Sequence, residues 1–142
     1  MLKRSSFWLK GAILFQALTT AAHSLSFFFT PEGTNDTERQ LIELMKTYKT
    51  DMGGGFAPST QDIFTSFSAC FALLYALGAL MNGYLLRRKI DDITLKGIVN
   101  INLVVFGICF VVMASFTFLP PIVLTGMVFL CLVICRLTFS KT

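Results

Sequence analysis

One histidine and one aspartate are the residues of this sequence best placed to do chemistry. His23 is the only histidine, and it lies about six residues before the end of an apolar stretch. Asp62 begins the next apolar stretch, so the two side chains would lie at similar heights in an antiparallel helix pair. Such a pair could carry a proton, bind a ligand or contact a lipid headgroup. The structural alternatives are a hydrogen bond from His23 to a neighbouring helix, which we favour, and helix capping by Asp62.

Three further residues complete the candidate binding region. Ser59 lies one helical turn before Asp62, and Met45 and Tyr48 belong to a short helix predicted between the two apolar stretches. We expect this helix to cover His23 and Asp62, because a polar pair at the edge of the hydrocarbon needs shielding from bulk water. The predicted covering face consists of Leu41, Leu44, Met45 and Tyr48.

The sequence contains no recognised catalytic arrangement. It has no nucleophile elbow, no glycine-rich phosphate loop followed by lysine and no HExxH motif. All four cysteines fall inside apolar stretches without a CxxC pair, and Cys131 and Cys135 share one face of the last helix. We therefore predict no catalytic residues, no metal and no cofactor, and we favour a protein that is not an enzyme.

The elements that would carry these residues are membrane-spanning helices. Of the 142 residues, 54% are hydrophobic and 14% are charged, whereas a soluble domain has about 25% charged residues. The apolar residues fall in blocks of the length that crosses a bilayer, about 20 residues. Four spans are predicted, at residues 8–29, 62–86, 97–118 and 121–138. The prediction is a single all-α membrane domain over residues 1–142, folded as an antiparallel four-helix bundle.

Residues 30–61 form the one long polar loop, which should contain an amphipathic helix at about residues 36–50. Asn35 followed by Glu38 is a capping-box pattern at the start of this helix. Ser59 or Thr60 can cap the span that follows. Proline and glycine residues are expected to end helices or make turns at Pro31, Gly33, Gly53-Gly54-Gly55 and Pro120-Pro121.

Basic residues set the predicted orientation. Nine of the twelve Lys and Arg residues lie near the termini or between the second and third spans, and the long loop holds the other three. Because Lys and Arg accumulate in cytoplasmic segments, we predict that both termini are cytoplasmic and that the 30–61 loop faces outward. The expected location is the bacterial inner membrane. Since the basic residues lie at span ends rather than on one face, nucleic-acid binding is not indicated.

Polar residues inside spans are costly in hydrocarbon and need partners. Asn82, Asn100 and Asn102 lie towards the cytoplasmic end of their spans, where we expect them to hydrogen-bond between helices. In the second span, small residues such as Gly78 and Gly83 favour close helix packing.

Three segments of the first half carry a common pattern. They are Gly11 to Phe29 with His23, Thr37-Glu-Arg-Gln-Leu-Ile-Glu-Leu-Met45, and Ser59-Thr-Gln-Asp62-Ile-Phe64-Thr-Ser-Phe67-Ser68. Together they resemble a family of small four-helix bacterial membrane proteins of unknown function, often named after a spirochaete locus. The resemblance covers about residues 8–75, implies four spans and implies no activity. It marks His23, Met45, Ser59, Asp62, Phe64, Phe67 and Ser68.

Two functions are consistent with these features. The favoured one is a non-enzymatic accessory or partner-binding subunit of a membrane complex, since no catalytic set is present and small-residue faces favour helix association. The alternative is a protein or enzyme that binds a lipid or small lipophile in an outward-facing pocket near His23 and Asp62. The expected partners are membrane lipids, together with other membrane subunits or a second copy of the chain.

Overall fold

The computed structural model describes residues 3–25, 27–29, 32–88 and 90–139. These residues form five α-helices and no strand, which confirms the all-α class. The helices are α1 (Lys3–Leu25), α2 (Asp36–Thr47), α3 (Thr60–Arg88), α4 (Asp92–Phe116) and α5 (Leu119–Thr138). The helix predicted in the long loop is α2, and the other four overlap the predicted spans. Helices α1 and α4 each begin five residues earlier than predicted, at Lys3 and Asp92.

Three helices are long and apolar enough to cross a membrane, namely α3, α4 and α5. Helix α1 has 23 residues, but Lys10, Gln16 and the polar residues of its second half lower its mean hydropathy. By length and composition, three of the four predicted spans are therefore supported.

The first helix ends earlier than predicted. The span was expected to reach Phe29, but α1 ends at Leu25. Beyond it the chain turns, with the Phe27 N–H donating to the Ser24 carbonyl at 3.3 Å and the Phe28 N–H to the Leu25 carbonyl at 3.0 Å. The prediction was wrong because it counted the apolar phenylalanines as helix. Pro31, expected to end the span, lies outside the described residues.

The proline pair also has a different position from the predicted one. Pro120 and Pro121 belong to the first turn of α5, and the turn between α4 and α5 is made by Thr117 and Phe118. Proline suits the first turn of a helix, since its missing N–H would have no intrahelical partner there. The pair therefore starts a helix instead of forming the connection.

The described residues divide into two compact units, and α1 and α3 contribute to both. The first unit contains the described residues up to Thr20 and those from Leu74 onward. The second unit is Ala21–Leu73, which includes α2 and its connections.

Within the first unit, α4 and α5 pack closely through glycines that face aromatic rings. A Cβ added to Gly107 would lie 3.0 Å from the Phe129 ring, and one added to Gly126 would lie 3.1 Å from the Phe110 ring. The two rings stack with their centroids 5.9 Å apart. Because residue numbers rise along α4 as they fall along α5 in these pairs, the two helices are antiparallel.

Helix α1 packs against α5 in the same unit. A Cβ on Gly11 would lie 3.2 Å from the Cys131 sulfur, and the Cys135 thiol donates to the Ser5 carbonyl at 3.4 Å. These pairs also run in opposite order along the chain, so α1 and α5 are antiparallel. Both cysteines are buried, and their predicted common face is confirmed as the face that meets α1.

In the second unit, a tight turn joins α2 to α3. Lys49 and Ser59 form an isolated antiparallel bridge, and the Thr50 N–H donates to the Pro58 carbonyl at 3.1 Å. At the tip, Gly53, Gly54 and Gly55 have φ values of 81°, 63° and 84°. This left-handed conformation is costly for residues with a Cβ, so the three glycines make the reversal of the chain possible.

Candidate functional site

Ser59 and Asp62 form a reciprocal capping box at the start of α3. The Ser59 N–H and hydroxyl donate to the Asp62 carboxylate at 2.9 and 2.7 Å. In return, the Asp62 N–H donates to the Ser59 hydroxyl oxygen at 3.2 Å. The negative charge also lies in the first helical turn, where the helix dipole favours it. Both predicted site residues therefore serve to begin α3.

His23 lies in the last turn of α1 and reaches α3 beyond the capping box. Its Nδ1 atom is 3.2 Å from the Ser68 Oγ, with which it shares a hydrogen bond. The imidazole also packs against Phe71, with the ring centroids 4.5 Å apart. Ser68 lies six residues after Asp62, or about 9 Å further along the helix axis. The hydrogen bond that the structure shows between His23 and α3 is therefore with Ser68, nearly two helical turns beyond Asp62.

Helix α2 begins as predicted, with a variation in the capping box. The Asn35 side chain accepts from the Glu38 N–H at 2.9 Å, which confirms it as the N-cap. The Glu38 carboxylate accepts from the N–H and hydroxyl of Thr34 at 2.7 and 2.6 Å, one residue earlier than in the standard box. These hydrogen bonds lower the pKa of Glu38.

The face of α2 that turns inward is not the predicted one. Leu41, Leu44 and Tyr48 are 56%, 58% and 61% exposed, while Ile42 and Met45 are partly buried. Met45 is thus the one inward-facing residue of the predicted set. The apolar side of the helix is broad and includes two rows of residues, the exposed row just given and the partly buried row of Ile42 and Met45. The element that packs against the helix decides which row is covered. Tyr48 is the C-cap residue of α2.

A cavity of about 290 Å³ lies in the second unit, between α2, the turn after α1 and the start of α3. We call it the α2–α3 cavity. Its apolar lining consists of Phe27, Phe29, Ile42, Met45 and Phe64. Its polar lining consists of Gln61, Thr65 and Ser68. Spacings of four and three residues place these three on one face of α3, together with Phe64. The cavity therefore combines apolar side chains from α2, α3 and the turn after α1 with a stripe of uncharged hydrogen-bonding groups on α3.

Sequence reasoning identified this cavity only in part. Met45 was a candidate, and Phe64 and Ser68 were marked by the family resemblance. Gln61 and Thr65 were missed, although their spacing with Ser68 places all three on one helical face. The signal is weak because Thr60, Asp62 and Ser66 make the other faces of the same segment polar as well.

The lining of the cavity can bind a ligand through hydrogen bonds and apolar contacts. Ser68 and His23 resemble the nucleophile and base of a hydrolase, but acyl transfer also needs donors aimed at the developing oxyanion. Ser68 lies within α3, where backbone N–H groups donate along the helix and supply no oxyanion hole beside it. The pair is suited to hold a ligand or a neighbouring helix.

A separate cluster of amide side chains lies in the first unit. The Asn82 side chain on α3 donates to Gln16 on α1 and to Asn102 on α4, each at 3.2 Å. Asn100 on α4 accepts from Arg136 on α5 at 2.6 Å. The prediction that the three asparagines hydrogen-bond between helices is therefore confirmed.

This amide cluster is closed to ligands on the side of Gly78. Gln16 and Asn82 are both 0% exposed. A Cβ added to Gly78 would lie 2.7 Å from the Gln16 Nε2 and 2.6 Å from the Phe106 ring. Among the residues that the structure describes, the Gln16 Nε2 and the Asn82 Oδ1 have no hydrogen-bond partner, and a buried unpaired polar atom costs about 1–3 kcal/mol. Because packing closes around it, the cluster is suited to holding helices together.

No protein-family model matches the chain, and no curated protein or solved structure matches it either. The resemblance in the first half therefore rests on the sequence pattern alone. Two features of the structure bear on function. The first unit contains the amide cluster, whose side chains hydrogen-bond between helices, and the second unit contains the α2–α3 cavity.

Proposed function

We propose that this chain is an integral membrane protein of four spans that binds a small lipophile in the α2–α3 cavity. The observation that carries the proposal is the lining, in which five apolar side chains and three uncharged polar side chains surround about 290 Å³. Binding sites for small molecules are mostly apolar cavities of about 300–1,000 Å³ with a few polar groups. Phe29 and Phe64 are 72% and 58% exposed, so a ligand would bury apolar surface that the protein leaves uncovered.

Membrane integration is supported by the three long apolar helices and by the two sides of α1. Ser5, Gln16 and Thr19 of α1 are fully buried within the first unit, while Phe7 and Leu14 are exposed. A helix in lipid turns its polar side chains to protein and its apolar side chains outward. We therefore include α1 as the fourth span of an antiparallel bundle.

The proposed orientation has both termini in the cytoplasm of a bacterial cell, with the membrane in question the inner one. It is supported by nine basic residues on one side against three on the other. A membrane-impermeant maleimide applied to intact cells should label a cysteine introduced at Gly54 and should not label one introduced at Arg4. Labelling of the second position alone would reverse the topology.

An accessory subunit is the second candidate function. The observation in its favour is the exposed row on α2 formed by Leu41, Leu44 and Tyr48, which a partner subunit could cover. The two candidates predict different companions after purification in mild detergent: a small lipophile for the first and a stoichiometric protein for the second.

Native mass spectrometry of the detergent-purified chain tests the proposal. The wild type should retain a lipophile in stoichiometric amount, and Thr65→Trp should lose it because the larger side chain fills the cavity. Phe67→Trp is the matched control, since Phe67 is exposed on the same helix and does not line the cavity. Equal retention by all three proteins, or a bound protein subunit without any lipophile, would contradict the proposed function.

A further inference from the structure

We infer that the ligand of the α2–α3 cavity is an uncharged lipophile with a hydroxyl or carbonyl group at one edge, such as a neutral lipid, and not one with a carboxylate, phosphate or quaternary ammonium head. The inference rests on the proposed function and specifies the chemistry of the same site.

The described residues that line the cavity carry no charge. All eight are apolar or neutral polar side chains. A carboxylate or phosphate leaves water at a large cost unless a cation meets it. Asp62, the residue after Gln61, is negatively charged and interacts with Lys49, so it supplies no cation that could meet an anionic head. An anionic lipophile is therefore disfavoured.

Three neutral polar side chains of the cavity form a hydrogen-bonding stripe on α3. Gln61, Thr65 and Ser68 each offer both donor and acceptor capacity, and a ligand that covers them must replace the water they would otherwise bind. A hydroxyl or a carbonyl can do so. A quaternary ammonium makes no hydrogen bonds, so it would leave the stripe without partners despite the nearby aromatic rings. A quaternary ammonium head is therefore disfavoured as well.

Ser68 also has a hydrogen-bond partner on α1. His23 holds the Ser68 hydroxyl from the side of α1, with Nδ1 and Oγ 3.2 Å apart. If the hydroxyl donates to Nδ1, its lone pairs can accept from a ligand hydroxyl. If the imidazole donates, the Ser68 hydroxyl is available to a ligand carbonyl. His23 is thus a positioning residue, which fixes the direction of the hydrogen bond that Ser68 offers.

The size of the cavity limits how much of the ligand it holds. At roughly 30 Å³ for each water-sized group, about 290 Å³ accommodates on the order of ten such groups. That is a small head with a short piece of chain. The remaining chain would lie outside the cavity, against exposed aromatic side chains such as Phe29 and Phe64.

Photo-crosslinking with three matched probes tests this inference. The probes carry the same diazirine-bearing alkyl chain and end in an alcohol, a carboxylate or a quaternary ammonium. With the full chain in dodecylmaltoside, we expect the alcohol to label peptides that contain Met45 or Phe64 about tenfold more than either charged probe does. Excess unlabelled alcohol should abolish that labelling.

Variants of the polar stripe provide the second readout. Ser68→Ala combined with Thr65→Val should reduce labelling by the alcohol about tenfold, because two hydrogen bonds are lost. Ser66→Ala is the matched control: its hydroxyl donates to the Asp62 carbonyl, and the residue does not line the cavity. For His23, labelling should fall in the His23→Ala variant and recover in His23→Asn, whose amide can replace Nδ1.

The outcomes separate this inference from the proposed function. Stronger labelling of the cavity by the carboxylate or the ammonium probe would overturn the inferred ligand class and leave lipophile binding intact. If none of the three probes labels the cavity in a competable manner, both the ligand class and the proposed function are wrong.

Discussion

The two units use the same types of polar side chain in different ways. In the first unit, Gln16 and Asn82 are fully buried and bond to each other across helices. In the second unit, Ser59 and Asp62 begin a helix, while Thr65 and Ser68 line a cavity. The difference lies in the packing. A polar side chain that neighbouring helices enclose completely holds those helices together through its hydrogen bonds. A polar side chain that borders open space is available to bind a ligand.

The largest effect is expected from adding a methyl group beside the amide cluster. Gly78→Ala places a Cβ within 2.7 Å of both Gln16 and Phe106, and such overpacking costs about 1–3 kcal/mol. Thermal unfolding in detergent should therefore shift to a lower temperature. Gly83→Ala is the matched control on α3, because its Cβ would meet nothing within 4 Å. Equal effects of the two substitutions would mean that the first unit is not closely packed at Gly78.

A smaller loss of stability is expected from removing the central amide. Asn82→Leu keeps the approximate size of the side chain but removes its hydrogen bonds to Gln16 and Asn102. The two hydrogen bonds contribute about 0.6 kcal/mol each, and their loss leaves the buried Gln16 Oε1 without its donor. Because the substitution also removes the unpaired Asn82 Oδ1, the two desolvation costs of about 1–3 kcal/mol offset each other, and the free energy of unfolding should fall by about 1 kcal/mol. A variant as stable as the wild type would show that the cluster does not hold the helices together.

Several features of the fold were predictable because they depend on local patterns. The helices follow from the apolar blocks, and the start of α2 follows from Asn35 and Glu38. The interhelical role of Asn82 was predictable because a buried amide in a span needs a partner. The end of α1 at Leu25 was missed, since the phenylalanines beyond it are apolar whether they lie in a helix or in a turn.

The candidate site was less predictable because it depends on which surfaces meet. Sequence spacing placed Leu41 and Leu44 on an apolar row of α2, but the neighbouring elements cover the row with Ile42 and Met45 instead. Similarly, the predicted similar heights of His23 and Asp62 did not indicate that His23 would bond to Ser68 or that Asp62 would bond to Ser59. Helix rotation and the exact path of the turn after α1 decide these contacts, and neither is encoded in residue spacing alone.

In the second unit, loss of the α3 cap should have a local effect of about 1 kcal/mol. Ser59→Ala removes the hydroxyl that bonds to Asp62 in both directions, and loss of an N-cap typically costs that much. Hydrogen exchange should accelerate in the first turns of α3 and remain unchanged around Asn82. Faster exchange throughout α3 would indicate that the cap also stabilises the part of α3 that belongs to the first unit.

The smallest effect concerns pH and the start of α2. Hydrogen bonds from Thr34 lower the pKa of Glu38 below its ordinary value, so the ionised carboxylate favours the folded helix. The stabilisation of the folded helix by the ionised carboxylate is complete above the ordinary pKa of glutamate. It is lost as the pH falls through the lowered pKa of Glu38 in the folded protein. Amide exchange in α2 should accelerate over that acidic range in the wild type. In Glu38→Gln, which cannot ionise, it should show no such pH dependence.

If cohesion resides in the first unit and binding in the second, a variant can lose either property without losing the other. Native mass spectrometry would measure the lipophile bound per chain in Asn82→Leu and in Thr65→Trp, each examined below its own unfolding temperature. We predict that Asn82→Leu retains the lipophile at the wild-type ratio despite its lower stability, and that Thr65→Trp loses it while remaining folded. Retention by Thr65→Trp, or loss of the lipophile from a folded Asn82→Leu variant, would contradict this division between the units.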